Sequence, residues 1–296
     1  MKMRFRYFLL AIVSLTSVGT CVSPRATGQT PTVATSAWTP SRTPDGQPDV
    51  QGFWNAEVGG TYSLVNPRRG GGRLNELLRE KKGLDPVTKP SRIVDPPDGK
   101  IPYKPWAAAR QKDILGHIDE PTKPEYIDPQ ARCLPDGVIR SIFWSSYQIL
   151  QFPGYVVIVY EQNHPYRVIP LDGHPHVGAN IKLWMGDSRG HWEGNTLVVD
   201  VTNNNSKSRL DNEGDFASDA VHIVERFTFI DANTMEYEAT LEDSSVYTRP
   251  WKIAARMLRA YKNQPGYELW EDACHEGERD VDISLTSSAS QTDTKK

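Results

Sequence analysis

From residue 146 onward the side chains alternate with a period of two, in short runs separated by turn residues. Such a run presents alternate residues to opposite faces and buries its apolar face only by joining a sheet. Runs 147–152 and 155–161 are joined by Pro153-Gly154, a hairpin signal, and 166–171 continues the series. Trp192 leads into a Glu-Gly-Asn turn. Residues 196–202 leave it with Leu197, Val199 and Val201 on one face and Val198 and Asp200 on the other. Runs 221–230, 235–241, 249–258 and 267–272 supply four more strands, and Gly52-Phe53-Trp54 reads as an earlier strand entry. In 155–161 both faces are apolar, which suits a strand covered on both sides. About eight to ten short strands at this spacing predict a mainly β domain: an antiparallel β-barrel of lipocalin or calycin type, or a sandwich.

One hairpin can be read in register. If Asp231-Ala232-Asn233 is a three-residue turn, Arg226 lies opposite Glu238, Thr228 opposite Glu236 and His222 opposite Glu242. The other face then pairs Phe229 with Met235, Phe227 with Tyr237 and Ile223 with Leu241. Opposite charges on one face and apolar pairs on the other agree with this register. Arg226 and Glu238 are expected to form an exposed cross-strand ion pair. Glu225 falls on the apolar face opposite Ala239, where a carboxylate needs a partner or a raised pKa.

The front of the chain is built differently. Residues 1–28 read as a secretory signal: Lys2, Arg4 and Arg6 precede the apolar stretch 8–18, and Ala26-Thr27-Gly28 offers cleavage before Gln29. The expected location is periplasmic or secreted, with a lipid anchor at Cys21 as the alternative. Cleavage removes four basic residues and no acidic one, moving the formal charge from −3 to −7. It also removes Cys21, leaving Cys133 and Cys274 as a candidate disulfide in an oxidising compartment. Residues 29–48, rich in Thr, Ser and Pro, read as a flexible linker, and 49–145 as a loop-rich, proline-rich segment with short helices at 74–82 and 105–115. The basic glycine loop 67–73 reads as a solvated turn, because no Lys-Ser/Thr follows it. The β domain is expected over 146–282 and a disordered tail over 283–296.

Charge and composition exclude several classes. A balance of 34 Lys+Arg against 37 Asp+Glu is not that of a nucleic-acid binder. The 8 Trp, 12 Tyr and 8 Phe are too many for a disordered chain. Beyond the N-terminal stretch no apolar run reaches the roughly 18 residues of a helical membrane span. The expected partner is a small molecule.

The stretch Met185-Gly186-Asp187-Ser188-Arg189-Gly190-His191-Trp192-Glu193-Gly194-Asn195-Thr196-Leu197-Val198-Val199-Asp200 resembles a family of exported, largely uncharacterised bacterial proteins. The likeness extends to Asp172-Gly173-His174-Pro175-His176, Val221-His222-Ile223-Val224-Glu225-Arg226-Phe227, Tyr247-Thr248-Arg249-Pro250-Trp251 and Arg132-Cys133-Leu134-Pro135. It reaches from about residue 45 to 281. Asn195 stands where the family pattern carries Asp.

Candidate chemistry gathers around three histidines, His174, His176 and His191. His174-x-His176 places both imidazoles on one face of an extended segment. With Asp172 or Asp187 they would make a divalent metal site, the cofactor being otherwise open. Acid–base catalysis needs a titratable group in a cleft, and His174, His176, Asp187, Glu225 and Tyr247 are the candidates. Arg189 and Arg249 can hold an anionic group, while Trp184, Trp192 and Trp251 can stack on a flat ligand. Ser188 lies in Gly-Asp-Ser-Arg-Gly, not in a Gly-x-Ser-x-Gly elbow. Three functions follow: binding of a hydrophobic or aromatic molecule in a barrel mouth or adjacent cleft; a periplasmic lyase, isomerase or hydrolase; or a structural envelope-associated protein. The first predicts an aromatic cavity, the second a convergence of the titratable residues, and the third a large exposed apolar patch.

Overall fold

The computed structural model describes residues 38–57, 63–65, 91–261, 264 and 266–270. The segment 1–28 expected to be a signal, the glycine loop 67–73, the helix expected at 74–82, Cys274 and residues 283–296 lie outside the described residues.

The period-two runs form strands β1 (Gly52–Ala56), β2 (Ile93–Asp95), β3 (Tyr147–Phe152), β4 (Tyr155–Tyr160), β5 (Tyr166–Pro170), β6 (Asp187–Glu193), β7 (Thr196–Thr202), β8 (His222–Asp231), β9 (Thr234–Glu242) and β10 (Trp251–Arg259). Every ladder is antiparallel. The sheet order is β5-β4-β3-β1-β10-β9-β8-β7-β6, with β2 paired to β10. Most neighbours are consecutive in the chain, as short hairpin turns require. The sheet curls until its two ends meet, giving a nearly closed barrel-like fold.

Face parity follows the sequence. On β8, Ile223, Glu225, Phe227 and Phe229 point inward and are buried, while His222, Val224, Arg226 and Thr228 face out. The register read for the β8–β9 hairpin is the one observed from His222–Glu242 to Phe229–Met235. The turn itself is tighter: Asp231 pairs with Thr234, and the ladder shifts between Phe229 and Asp231, so Ile230 is absorbed in a bulge. Arg226 pairs with Glu193 of β6 at 2.8 Å, while Glu238 takes Lys252 of β10 at 2.8 Å. Arg226 reaches past Val198 of β7 to the next strand, β6, while Glu238 is met by Lys252 across its other ladder. Residues 267–270 form no strand; Tyr267 instead stacks on Tyr261 and sets its edge against Phe53.

The ends of the sheet, β5 and β6, are joined by no backbone ladder among the described residues. Their closure is a matter of side chains. Gly190 on β6 lies against β5: a Cβ there would stand 2.6 Å from Ile169 Cγ2 and 2.9 Å from a methyl of Leu171. Gly190→Val is therefore expected to force this seam apart and lower stability by about 1–3 kcal/mol, read as a shifted urea midpoint. Across the same seam Arg167 of β5 donates to Ser188 Oγ of β6 at 3.0 Å.

Helix α1 spans Pro105–Gly116, with Pro105 in its first turn. Helix α2 (Val138–Trp144) is buried at six of its seven positions, and Phe143 meets the inward ring of Tyr237 edge-on at 5.7 Å. At the end where β1 begins, Arg259 lies over Trp54 at 4.5 Å and donates to Gln51 O and Ala232 O, both at 2.6 Å. Gly52 has φ of 123°, and a Cβ there would stand 2.3 Å from Arg259 Nη1. The glycine of Gly-x-Trp thus makes room for the arginine that seals the barrel over the tryptophan. Residues 38–48 form a turn held from outside, with Trp192 Nε1 donating to Gln47 Oε1 and Gln151 Nε2 to Pro48 O. Asn195 donates to Trp38 O at 2.6 Å, a bond that a carboxylate at this position could not make.

Candidate functional site

The titratable residues singled out in the sequence separate into several places. His176, Asp187 and Arg189 come together on the outer face of β6–β8, where Asp200 and His222 join them. Asp187 and Arg189 are both outward on β6, Asp200 is the register partner of Arg189 on β7, and His222 begins the outward row of β8. The connection between β5 and β6 folds back over this face and inserts His176.

His176 Nδ1 lies 2.7 Å from Asp187 Oδ2 and its Nε2 lies 2.8 Å from Asp200 Oδ1. The other oxygen of Asp200 lies 2.7 Å from His222 Nε2. Asp187 Oδ2 also accepts from Val177 N at 3.2 Å and pairs with Arg189 Nη2 at 3.2 Å. Ionised carboxylates only accept, so an imidazole nitrogen facing one donates to it only where it carries a proton. His176 bridges Asp187 and Asp200 through its two ring nitrogens. His222, held by Asp200 through Nε2–H, presents Nδ1 as its basic nitrogen in the neutral ring, and that atom meets no hydrogen-bond partner among the described residues. The result is a chain of acid and base, Asp187–His176–Asp200–His222, half-buried at its centre and open to solvent at His222. Arg189 Nε is buried and has no hydrogen-bond partner among the described residues.

The remaining candidates lie elsewhere. His174 is exposed and pairs with Asp172 at 2.7 Å, and His191 pairs with Glu193 at 3.2 Å, so the three histidines do not converge. Among the described residues no group of three or more His, Cys, Asp or Glu is placed to hold a metal ion. Arg249 grips Asp95 through two bonds of 3.0 and 2.8 Å and holds that carboxyl below its usual range. Trp251 is wholly buried, Trp192 packs against the core, and Trp184 is half-buried. Tyr247 donates to Phe216 O at 2.9 Å, and burial pushes its hydroxyl well above its ordinary pKa.

Glu225 points into the barrel, and its partner is Arg167. The guanidinium meets Oε1 at 3.1 Å and Oε2 through its other terminal nitrogen, and Tyr237 adds a bond to Oε1 at 2.9 Å. Both charges are fully buried. The carboxylate holds the guanidinium proton more tightly than usual, while burial pushes the neighbouring Tyr160 hydroxyl up to about 12.

Reading along the sequence does not single out Asp200, His222 or Arg167 as site residues. The outward parity of Asp200 and His222 is visible there, but their diagonal meeting depends on the β7–β8 ladder. No family model, curated protein or solved structure matches the chain.

Proposed function

We propose that this chain is an exported member of the bacterial family its motifs resemble, and that it performs acid–base chemistry on a small polar molecule at the outer face of β6–β8. The observation that carries this reading is Asp200 holding His176 with one oxygen and His222 with the other, which leaves His222 Nδ1 available to take or give a proton. Asp200 orients the ring and stabilises its charged form, His176 and Asp187 hold Asp200 in place, and Arg189 anchors an anionic group. A lyase or isomerase step, in which one base removes a proton and the conjugate acid returns it, fits this single-imidazole arrangement. Export places Cys133 and Cys274 in an oxidising compartment, and their pairing belongs to the same reading.

The test uses the protein secreted with its own leader, incubated with the small-molecule fraction of a periplasmic extract and followed by mass spectrometry for a consumed species. His222→Asn and Asp200→Asn are expected to lower its consumption roughly 100-fold or more, with folding retained. Unchanged turnover in both variants would overturn the assignment.

A second reading, binding without chemistry, is favoured by one feature. A concavity of about 510 Å³ on the outside of β8–β10 is lined by Arg226, Arg256, Glu57, Glu236 and Glu238. Its charges suit a zwitterion better than an apolar ring system, and the described barrel interior is occupied by buried side chains. Binding that survives His222→Asn with no turnover in the wild type would favour this reading.

A further inference from the structure

Between β5 and β6 the chain runs through residues 171–186 as a strap that contains no helix and no strand. Of the twelve residues from Asp172 to Leu183, ten are exposed, and only His176 and Val177 are half-buried. A segment that buries so little has no apolar packing to fix its path. Yet that path decides whether the His176 ring reaches Asp187 and Asp200. Hydrogen bonds must set it, and they can be traced one by one.

Most of them converge on Asn203, just beyond the end of β7. Its Nδ2 donates to Ile181 O at 2.8 Å and to Gly178 O at 2.9 Å, and lies 3.4 Å from Val177 O. Gly178 and Ile181 are the two ends of a turn in which Ile181 N donates to Gly178 O at 2.9 Å, so the amide fills the mouth of that turn. Asn203 Oδ1 accepts from Thr202 Oγ1 at 2.7 Å. Carbonyls only accept, so the nitrogen must be the end of the amide that faces the strap. The backbone adds to the clasp: Leu183 N donates to Asn203 O at 2.8 Å, and Asn205 N to Leu183 O at 3.1 Å. Asn203 is buried, and its φ of 60° lies in the left-handed region, which asparagine tolerates better than most side chains. It follows Asp200 by three residues. One short stretch therefore carries both the carboxylate that receives His176 and the amide that holds its strap. Among the described residues, the other ties of 172–183 to the barrel are the His176 and Val177 contacts at Asp187 and Asp200, and Lys182 Nζ donating to Asp219 O at 2.6 Å.

We propose that Asn203 is the positioning residue of this site. By holding the carbonyls of Val177, Gly178 and Ile181 it keeps His176 between Asp187 and Asp200, and through Asp200 it fixes the ring of His222. Its effect on turnover rests on the acid–base reading of His222, whereas its effect on His176 rests on the strap alone.

Diethyl pyrocarbonate, which acylates accessible imidazole nitrogens, tests this on the secreted chain, with peptide mass spectrometry separating His176 from His174. His174 is exposed on the same strap and serves as the internal standard. In the wild type His176 is expected to react roughly 10-fold more slowly than His174, because both its ring nitrogens are engaged until the strap opens. Asn203→Gly keeps the left-handed backbone and deletes the amide. Asn203→Asp keeps an acceptor for Thr202 and sets a carboxylate against the carbonyls. Both are expected to bring His176 within about 2-fold of His174 and to lower turnover several-fold, with a urea midpoint close to wild type as the control for folding. Lys182→Ala, which cuts the other tie, is expected to leave His176 protected. A His176 that stays protected in both Asn203 variants would overturn the proposal, as would equal release by Lys182→Ala. Release of His176 with turnover intact would overturn it too. Turnover untouched by His222→Asn would sink the acid–base reading instead, while the protection of His176 still decides the role of Asn203.

Discussion

Glu225→Ala is expected to lower the unfolding free energy by about 3–5 kcal/mol. The variant leaves the Arg167 guanidinium fully buried without its counter-charge and takes from Tyr237 the acceptor it binds at 2.9 Å. Arg167→Ala should cost a similar amount and should also release the link to Ser188 that spans the β5–β6 seam. Replacing both members with apolar residues of similar volume, as in Arg167→Met with Glu225→Leu, should recover most of the loss, because desolvation offsets much of the pair's attraction. Urea unfolding of the four proteins gives the coupling energy directly. Strictly additive losses would show that the two charges act independently, contrary to the geometry.

The second large effect depends on pH. Asp211 and Asp215 are buried together beside Tyr103. Asp211 accepts from Leu64 N at 2.8 Å and from Glu213 N at 3.0 Å, and Asp215 accepts from Tyr103 Oη at 2.9 Å. Burial raises both carboxyls, Asp215 from 3.8 to about 6 and Asp211 well above its usual value. A raised carboxyl holds its proton longer in the folded state than in the unfolded chain. Its contribution to stability is therefore present at low pH and falls as pH rises from about 4 through 6. Asp215→Asn keeps an acceptor for Tyr103 and removes this titration. The stability of wild type relative to Asp215→Asn is expected to fall by about 3 kcal/mol between pH 4 and pH 8. Urea midpoints measured at several pH values test it. A difference independent of pH would mean that the extra proton is not held at Asp215. Exposed carboxylates such as Asp95, held low by Arg249, pull the absolute stability the other way on acidification, so the comparison between variants is the informative one.

Much of the barrel is legible in the amino-acid sequence. The β8–β9 register reads correctly from His222–Glu242 to Phe229–Met235 because one face of that hairpin is apolar, and a slip of one residue would expose all of it. Glu225 is recognisable as inward and in need of a partner, and His176 and Asp187 as candidates for one site. The partners themselves are not legible. Arg167 is separated from Glu225 by 58 residues and meets it only because the sheet curls and brings β5 against β6. Arg226 takes Glu193 rather than Glu238, its register partner in the β8–β9 hairpin, by reaching past β7 to β6, a strand two places away that the hairpin pattern does not bring into view.

Alternation along the chain alone determined which residues form strands, which face each side chain takes and how a neighbouring hairpin aligns. These are local properties, set by the pleat and by short turns. Tertiary assembly decided the rest: closure made the Arg167–Glu225 pair across the seam, and the β7–β8 ladder with the folded-back β5–β6 connection brought His176, Asp200 and His222 together on the outer face. Those contacts depend on the order and curvature of strands far apart in the chain, which local side-chain alternation does not specify.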